Sequence, residues 1–360
     1  MLICYNKQDM SKKVYVGMSG GVDSSVTAAL LLEQGYDVTG VYMKNWSKDL
    51  PGMTCPWKED YQDAKRVAVQ LGIPFKMYDF ETEYRQKVVD YMLEGYQAGR
   101  TPNPDIMCNQ EVKFKLFLEA ALEDGADMIA TGHYARIKDG QLLAGIDGNK
   151  DQSYFLYRVT EDALRKSLMP IGEYEKPQVR EIAAKYGLAT ASKKDSQGIC
   201  FVGKVGIKDF LMHELGVQEH GPIVDQHGAS IGDHDGALFY TIGQRHGLNV
   251  GGGLPYYVTG KDMDSNTVYV TTDLQDDKLW QRQLKLADVH WINGVPEADV
   301  LARLSVRSRY RAELVNVTSI TNTQDATWIL DLVEDVRAIT PGQSAVIYDG
   351  DRCLGGGIVA

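Results

Sequence analysis

The chain reads as an α/β protein: a parallel-sheet domain, a small mixed middle domain, and a C-terminal β-barrel-like domain. Three observations predict this. Strand and helix patterns alternate through the first half, and a glycine-rich loop sits at the first strand–helix junction. After about residue 205 short β runs follow one another between Gly, Asp and Asn turns. Alternation at this spacing builds βαβ units and a parallel sheet, whereas closely spaced strands build a small barrel or sandwich. The expected domains are residues 1–205, 206–284 and 285–360.

The elements follow in order. Residues 13–18 form an apolar run suited to a buried strand, and 26–34 a helix stopped at Gly35. Residues 37–43 read as a strand, 61–71 as a helix before the Gly72/Pro74 break, and 75–80 as a strand. Helices are expected at 83–98 and 113–122, a strand at 127–131, and an amphipathic helix at 176–186. A last helix covers 208–215. Strands are expected at 256–259, 267–272, 301–306, 312–320, 327–332 and 344–348.

The bulk properties exclude some classes. A net charge of -11 argues against coating nucleic acid by bulk electrostatics, so RNA contact must rest on local patches. No run approaches the roughly 18 apolar residues of a membrane helix. The opening MLICYNKQDM is too short and polar for a secretory signal, so a cytoplasmic location and no membrane partner are expected. The five cysteines, Cys4, Cys55, Cys108, Cys200 and Cys353, form no C-x-x-C and no zinc spacing. No metal-ligating set is therefore assigned. His213, His220, His227 and His234 recur at a fixed interval, but Gly216, Gly221, Pro222 and Gly228 break any helix that would align them.

The strongest signal is G-M-S-G-G-V-D-S-S, comprising Gly17, Met18, Ser19, Gly20, Gly21, Val22, Asp23, Ser24 and Ser25. The glycines permit positive φ and close backbone approach, and the serines supply hydroxyl donors. The helix that follows points free N–H groups at an anion. No lysine follows as in a Walker A loop, and the G-x-G-x-x-G dinucleotide fingerprint is absent. This loop resembles the PP-loop of ATP pyrophosphatases, which cleave ATP between its α and β phosphates and adenylate a substrate. The resemblance implies that Gly17 to Ser24 hold the phosphates of ATP, with Asp23 near Mg2+, while Met43 and Gly132 line the adenine pocket.

Cys108 follows Pro102 and Pro104, which are expected to hold it in a rigid extended loop; Cys200 lies in a second loop beside Lys193 and Lys194. A free thiol ionises near ~8.5, and adjacent lysines lower that value. With the loop at 19–25, the strings R-T-P-N-P-D-I-M-C-N (100–109), A-T-G-H-Y (130–134), K-D-Q-S-Y-F-L-Y (150–157), D-S-Q-G-I-C-F (195–201) and P-G-Q-S-A-V (341–346) appear in one order. Together they resemble the bacterial tRNA-uridine 2-sulfurtransferase family, of the MnmA type, over nearly the whole chain.

The chemistry makes sense of the parts. The C2 oxygen of uridine belongs to a urea-like carbonyl and leaves badly; adenylation turns it into a good leaving group. Sulfur then arrives from a cysteine persulfide, and a second thiol releases it by exchange, leaving a disulfide. The resemblance implies that Cys200 carries the persulfide and Cys108 is the nucleophilic or resolving thiol, with Asp105 as a proton-transfer group. Whether Cys108 acts before or after transfer stays open. It also implies tRNA contacts at Asn103, Pro104, Asp105, His133, Lys150, Asp151, Gln152, Arg309, Tyr310 and Gln343, the wobble uridine as target, and a sulfur-relay persulfide donor protein as partner; the oligomeric state stays open, with a monomer favoured. Arg307, Arg309 and Arg311 would share one face of a β segment and clamp phosphates. Tyr154, Phe155 and Tyr157 read as core packing. The competing reading is a small-molecule PP-loop ligase, which leaves both cysteines without a task.

Overall fold

The computed structural model describes residues 12–50, 54–194, 206–248, 250–251, 253, 255–323 and 326–360. Its first unit is a five-stranded parallel sheet. Strands β1 (Lys13–Gly17), β2 (Asp37–Lys44), β3 (Phe75–Asp79) and β4 (Met128–Ala130) lie in the order β3-β2-β1-β4, and Ser167–Leu168 completes the edge. Central β1 buries Val14 and Val16 completely, as a strand covered on both faces must. Helix α1 (Val22–Glu33) packs on this sheet with Val26, Ala28 and Leu31 in one core with Val38, Ala64 and Val67, the last two from helix α2 (Trp57–Leu71).

Two long helices lie beside the sheet, spanning 81–97 and 104–123, each with a π-helical stretch inside it, at Arg85–Val89 and Cys108–Leu116. The second corrects the expectation of an extended loop around Cys108. Extended backbone ends at Asn103, whose Oδ1 accepts from the Asp105 N–H at 3.1 Å as a helix N-cap. Pro104 then occupies the first helical position, where its missing N–H has no partner to lose. Proline here starts a helix, and Cys108 lies in its second turn.

The middle unit consists of the helix Ile207–Leu215 and a sheet of Tyr257–Asp262, Thr267–Thr271, Gly221–Val224 and Ser230–His234. Its Phe210, Ile223, Val258 and Val268 share one apolar core with Tyr84, Val88, Met92 and Cys108. The wall behind the cysteine thus belongs partly to the middle unit.

The last unit is a closed antiparallel barrel of six strands: Trp280–Trp291, Ser305–Arg307, Val315–Asn322, Trp328–Arg337, Ser344–Asp349 and Arg352–Val359. Pairing of Leu286 with Val359 and Trp291 with Gly355 closes it. Its first strand starts at Trp280, so position 285 falls inside a strand rather than at a boundary. The expected strand at 301–306 is shorter and later: the helical turn Ala298–Leu301 runs into its first residue, and the strand itself is Ser305–Arg307. Among the strands not foreseen are three that complete this sheet. Arg352–Val359 carries three consecutive glycines, and the hairpin Ala135–Lys138/Gln141–Ala144 from the first unit joins the barrel sheet where Leu142 pairs with Cys353. Among the described residues no helix is long and apolar enough to cross a membrane.

Candidate active site

The phosphate loop lies between the C-terminal end of β1 and the start of α1. Gly20 has φ of 75°, and a Cβ there would strike the Asp60 carbonyl of α2. Gly132, just beyond β4, is pressed against the loop: a Cβ there would stand 2.7 Å from the Ser24 nitrogen. The Ser24 Oγ accepts from the Ser19 N–H at 3.2 Å, and Ser25 Oγ donates to the Gly21 carbonyl at 2.8 Å. No side chain caps α1, so its first N–H groups stay available to an anion. Met43 reaches the same place from β2, its Cε 2.9 Å from where a Gly17 Cβ would be. These are features of a cradle for phosphate oxygens with an apolar flank.

Sequence reasoning missed Lys176. Its Nζ lies 2.8 and 3.0 Å from the two Asp23 carboxylate oxygens and 5.6 Å from the centre of the Tyr134 ring, while the Tyr134 hydroxyl donates to Asp23 Oδ1 at 2.7 Å. Lys176 opens the helix Lys176–Lys185. A cation at a helix N-terminus opposes the macrodipole, and that misplacement is the signal by which it could have been found.

Cys108 is 4% exposed, at one side of the core it shares with the middle unit. Burial pushes its thiol up; Lys113 pulls it back, Asp105 pushes it further, and a hydrogen bond with Tyr84 lowers it. Burial likewise raises the Asp105 carboxyl against the pull of Lys113. His133 is buried with Nδ1 2.8 Å from the Thr131 hydroxyl, and burial, then Lys113, hold its imidazole well below the ordinary range. Its ring stands 5.8 Å from Phe114, a neighbour on the cysteine helix. Asn109, beside Cys108, donates to the Phe155 carbonyl at 3.0 Å, and among the described residues its buried Oδ1 has no partner. Cys200 lies outside the described residues. Lys193, set beside it by the sequence, is held by Asp60 at 2.8 Å and Asp63 at 2.7 Å.

The remaining candidates divide into two places. Asp151 is buried and accepts from Gly145 N–H, Ser153 N–H, Ser153 Oγ and Arg307 Nη1, the last at 3.0 Å. Gln152 Oε1 accepts from the Tyr134 N–H, and Arg311 Nε donates to the Asn149 carbonyl at 3.1 Å, so barrel arginines clasp the loop that carries Lys150. Tyr310 packs on Phe155 with ring centres 4.5 Å apart and planes tilted by 49°, while Tyr154 and Tyr157 are fully buried with hydroxyls bonded to Ser344. The strand ends at Arg307 and Arg311 has φ of 63°, so the three arginines do not share a strand face. Arg309 instead donates to the Ile242 and Ala338 carbonyls, joining middle unit to barrel. Gln343 belongs to the second place: its Nε2 donates to the Thr101 carbonyl at 2.7 Å, just before the cysteine helix begins.

A phosphate cradle on a parallel sheet, with a buried cysteine on the adjoining helix and a barrel behind, defines a PP-loop nucleotide-binding protein. Family models agree: a tRNA methyl transferase HUP domain matches residues 12–204, a tRNA methyl transferase PRC-barrel domain 208–272, and an aminomethyltransferase beta-barrel domain 281–359. The tRNA-specific 2-thiouridylase MnmA of Lactococcus lactis subsp. cremoris (strain MG1363) is 48% identical over 98% of this chain and 96% of its own. That of Bacillus subtilis (strain 168) is also 48% identical, over 98% and 96%. A solved 4-thiouridine synthetase–RNA complex with bound ATP covers 56% of this chain and 50% of its own at 19% identity, with a TM-score of 0.38. The chain belongs to the MnmA family of tRNA-specific 2-thiouridylases.

Proposed function

We propose that the protein replaces the C2 oxygen of the wobble uridine of tRNA with sulfur at the expense of ATP. The observation that supports this most is the short segment Thr131-Gly132-His133. Gly132 closes on the phosphate loop, and the next residue sets its ring against the helix that carries Cys108. One turn of chain thereby joins the place where an oxygen is activated to the place where sulfur arrives.

ATP supplies the adenyl group that makes the C2 oxygen a leaving group. On this chain, the loop from Gly17 to Ser24 cradles the phosphates and Met43 flanks the adenine. Mg2+ travelling with the phosphates finds Asp23 as the loop's carboxylate, in competition with Lys176. The buried, neutral His133 and the partnerless Asn109 Oδ1 suit an uncharged base rather than a phosphate.

The persulfide sulfur on Cys200 bonds to C2 as AMP leaves. The Cys108 thiolate then bonds to the Cys200 sulfur, the S–S bond to the transferred sulfur breaks, and the electron pair goes to the thiouridine. A Cys108–Cys200 disulfide remains for an external reductant. The opposite order, in which Cys108 first releases sulfide, ends at the same disulfide. A persulfide donor protein recharges Cys200. The loop 149–152, Arg309 and Tyr310 face the tRNA body, while Asn103, Pro104, Asp105 and Gln343 stand at the mouth of the cysteine helix. Asp151 and Arg309 contribute by holding other groups, since their own polar atoms are bonded internally.

The test is sulfur incorporation into unmodified tRNA with ATP, magnesium and a persulfide donor. Wild type should form 2-thiouridine, whereas Cys108→Ser and Cys200→Ser should form none. Pyrophosphate release without tRNA would favour a small-molecule ligase, and normal thiolation by both variants would end the persulfide scheme.

A further inference from the structure

The winding of the cysteine helix places one cation where no ordinary helix would. Residues Cys108–Leu116 are π-helical, and the Phe117 N–H bonds to the Val112 carbonyl five residues back. In ordinary α-helical winding, residue i+5 stands about 140° around the axis from residue i. With i→i+5 bonding it returns to the same side, and such stretches are rare and frequently found at functional sites. Lys113 is the i+5 neighbour of Cys108.

The other lysines here are already occupied. Lys87 and Lys115 both pair with Glu111, at 3.0 and 3.2 Å. Lys113 is partly buried, and among the described residues no hydrogen bond or ion pair holds its ammonium. Yet it acts electrostatically on Asp105, Cys108 and His133 alike. Asp105 and Lys113 on its own helix act on the thiol, and Tyr84 on the 81–97 helix bonds to it, while Glu111 is taken up by Lys87 and Lys115. One cation in this set lacks an anion of its own.

We propose that Lys113 is the counter-charge of the Cys108 thiolate, brought beside it by the π-helical winding, with the Tyr84 hydroxyl donating a hydrogen bond to the same sulfur. This rests on reading Cys108 as the thiol that attacks. The step is a simple ionisation: the S–H bond breaks, its electron pair stays on sulfur, and the proton leaves to water. Lys113 is a positioning residue, because it acts through the sulfur and not on the uridine.

The experiment titrates the Cys108 thiolate by its ultraviolet absorbance, as the difference between each protein and its Cys108→Ser counterpart. Lys113→Met should raise the midpoint by about one unit or more, Lys113→Arg should restore most of it, and Tyr84→Phe should shift it upward by less. Single-turnover sulfur transfer by Lys113→Met should fall roughly tenfold at neutral pH and recover as pH passes the new midpoint. Lys115→Met, whose lysine serves Glu111, should leave the midpoint in place. A midpoint unmoved in both Lys113→Met and Lys113→Gln overturns the proposal, and tRNA affinity lost instead would assign Lys113 to a phosphate. If Cys108→Ser still thiolates tRNA, the reading of Cys108 fails, while the titration still reports separately on Lys113.

Discussion

Replacing Lys176 with methionine should separate two tasks of one ammonium. Its Nζ bridges both Asp23 oxygens, with the lysine side chain 11% exposed and the aspartate 31%. Breaking a buried pair costs about 3–5 kcal/mol, because the remaining charge has no partner. Here Asp23 keeps solvent contact and the Tyr134 hydroxyl, which reduces the loss of stability to about 1–2 kcal/mol. The second task concerns ATP. A charge-assisted hydrogen bond to phosphate contributes about 1.5–3 kcal/mol, so ATP should bind roughly ten- to hundredfold more weakly. Calorimetric titration with ATP, run beside thermal melting, measures both. Adding Asp23→Asn to Lys176→Met should restore the melting temperature by removing the orphaned charge, but not the affinity for ATP. Wild-type ATP affinity in Lys176→Met would refute the phosphate task and leave Lys176 as a neutraliser of Asp23.

Other expectations follow from the same contacts. Asp151→Ala strips partners from Arg307, two N–H groups and the Ser153 hydroxyl at a buried position, so stability should fall by about 3–5 kcal/mol in urea melts; a loss below about 1 kcal/mol contradicts the anchoring role. Arg309→Ala frees the Ile242 and Ala338 carbonyls, so tRNA affinity should drop while ATP titrates normally; unchanged tRNA binding sinks this. Burial raises the Cys353 thiol, with a Gly355 N–H pulling it down, Asp151 pushing it up and Arg307 pulling it down. The native state therefore keeps a proton that the unfolded chain gives up, and stability should fall as pH rises above about 8.5. Cys353→Ala should flatten that slope in melts at neutral and mildly alkaline pH, and an unaltered slope argues against a thiol origin.

Much of the first unit was written locally. An apolar run, a glycine pair and a helix specify the phosphate loop wherever they fold, because strand burial, positive φ at Gly20 and an uncapped helix start are properties of adjacent residues. The same holds for the change to short strands after the middle of the chain. Prolines were harder to read: Pro104 equally suits an extended segment or a first helical turn, and the Asn103 cap decides between them. The glycines of Arg352–Val359 weaken any local strand signal. They are needed because barrel closure brings other backbone and side chains against them, with Val289 Cγ2 2.7 Å from where a Gly357 Cβ would stand.

The amino-acid order by itself determined the class of chemistry: the phosphate loop, two cysteines in separate segments and the motif strings all survive as linear text. Tertiary structure alone decided which charges are spent and which are free. Period-two alternation put Arg307, Arg309 and Arg311 on one face, but a turn after Arg307 sends them to Asp151, to two carbonyls and to Asn149. Lys176 meets Asp23 across 153 positions, and the π-helical winding turns position 113 back toward the side of its helix that carries Cys108. Electrostatic partnership depends on distance in space and on burial, and a one-dimensional pattern carries neither beyond the reach of a helical turn.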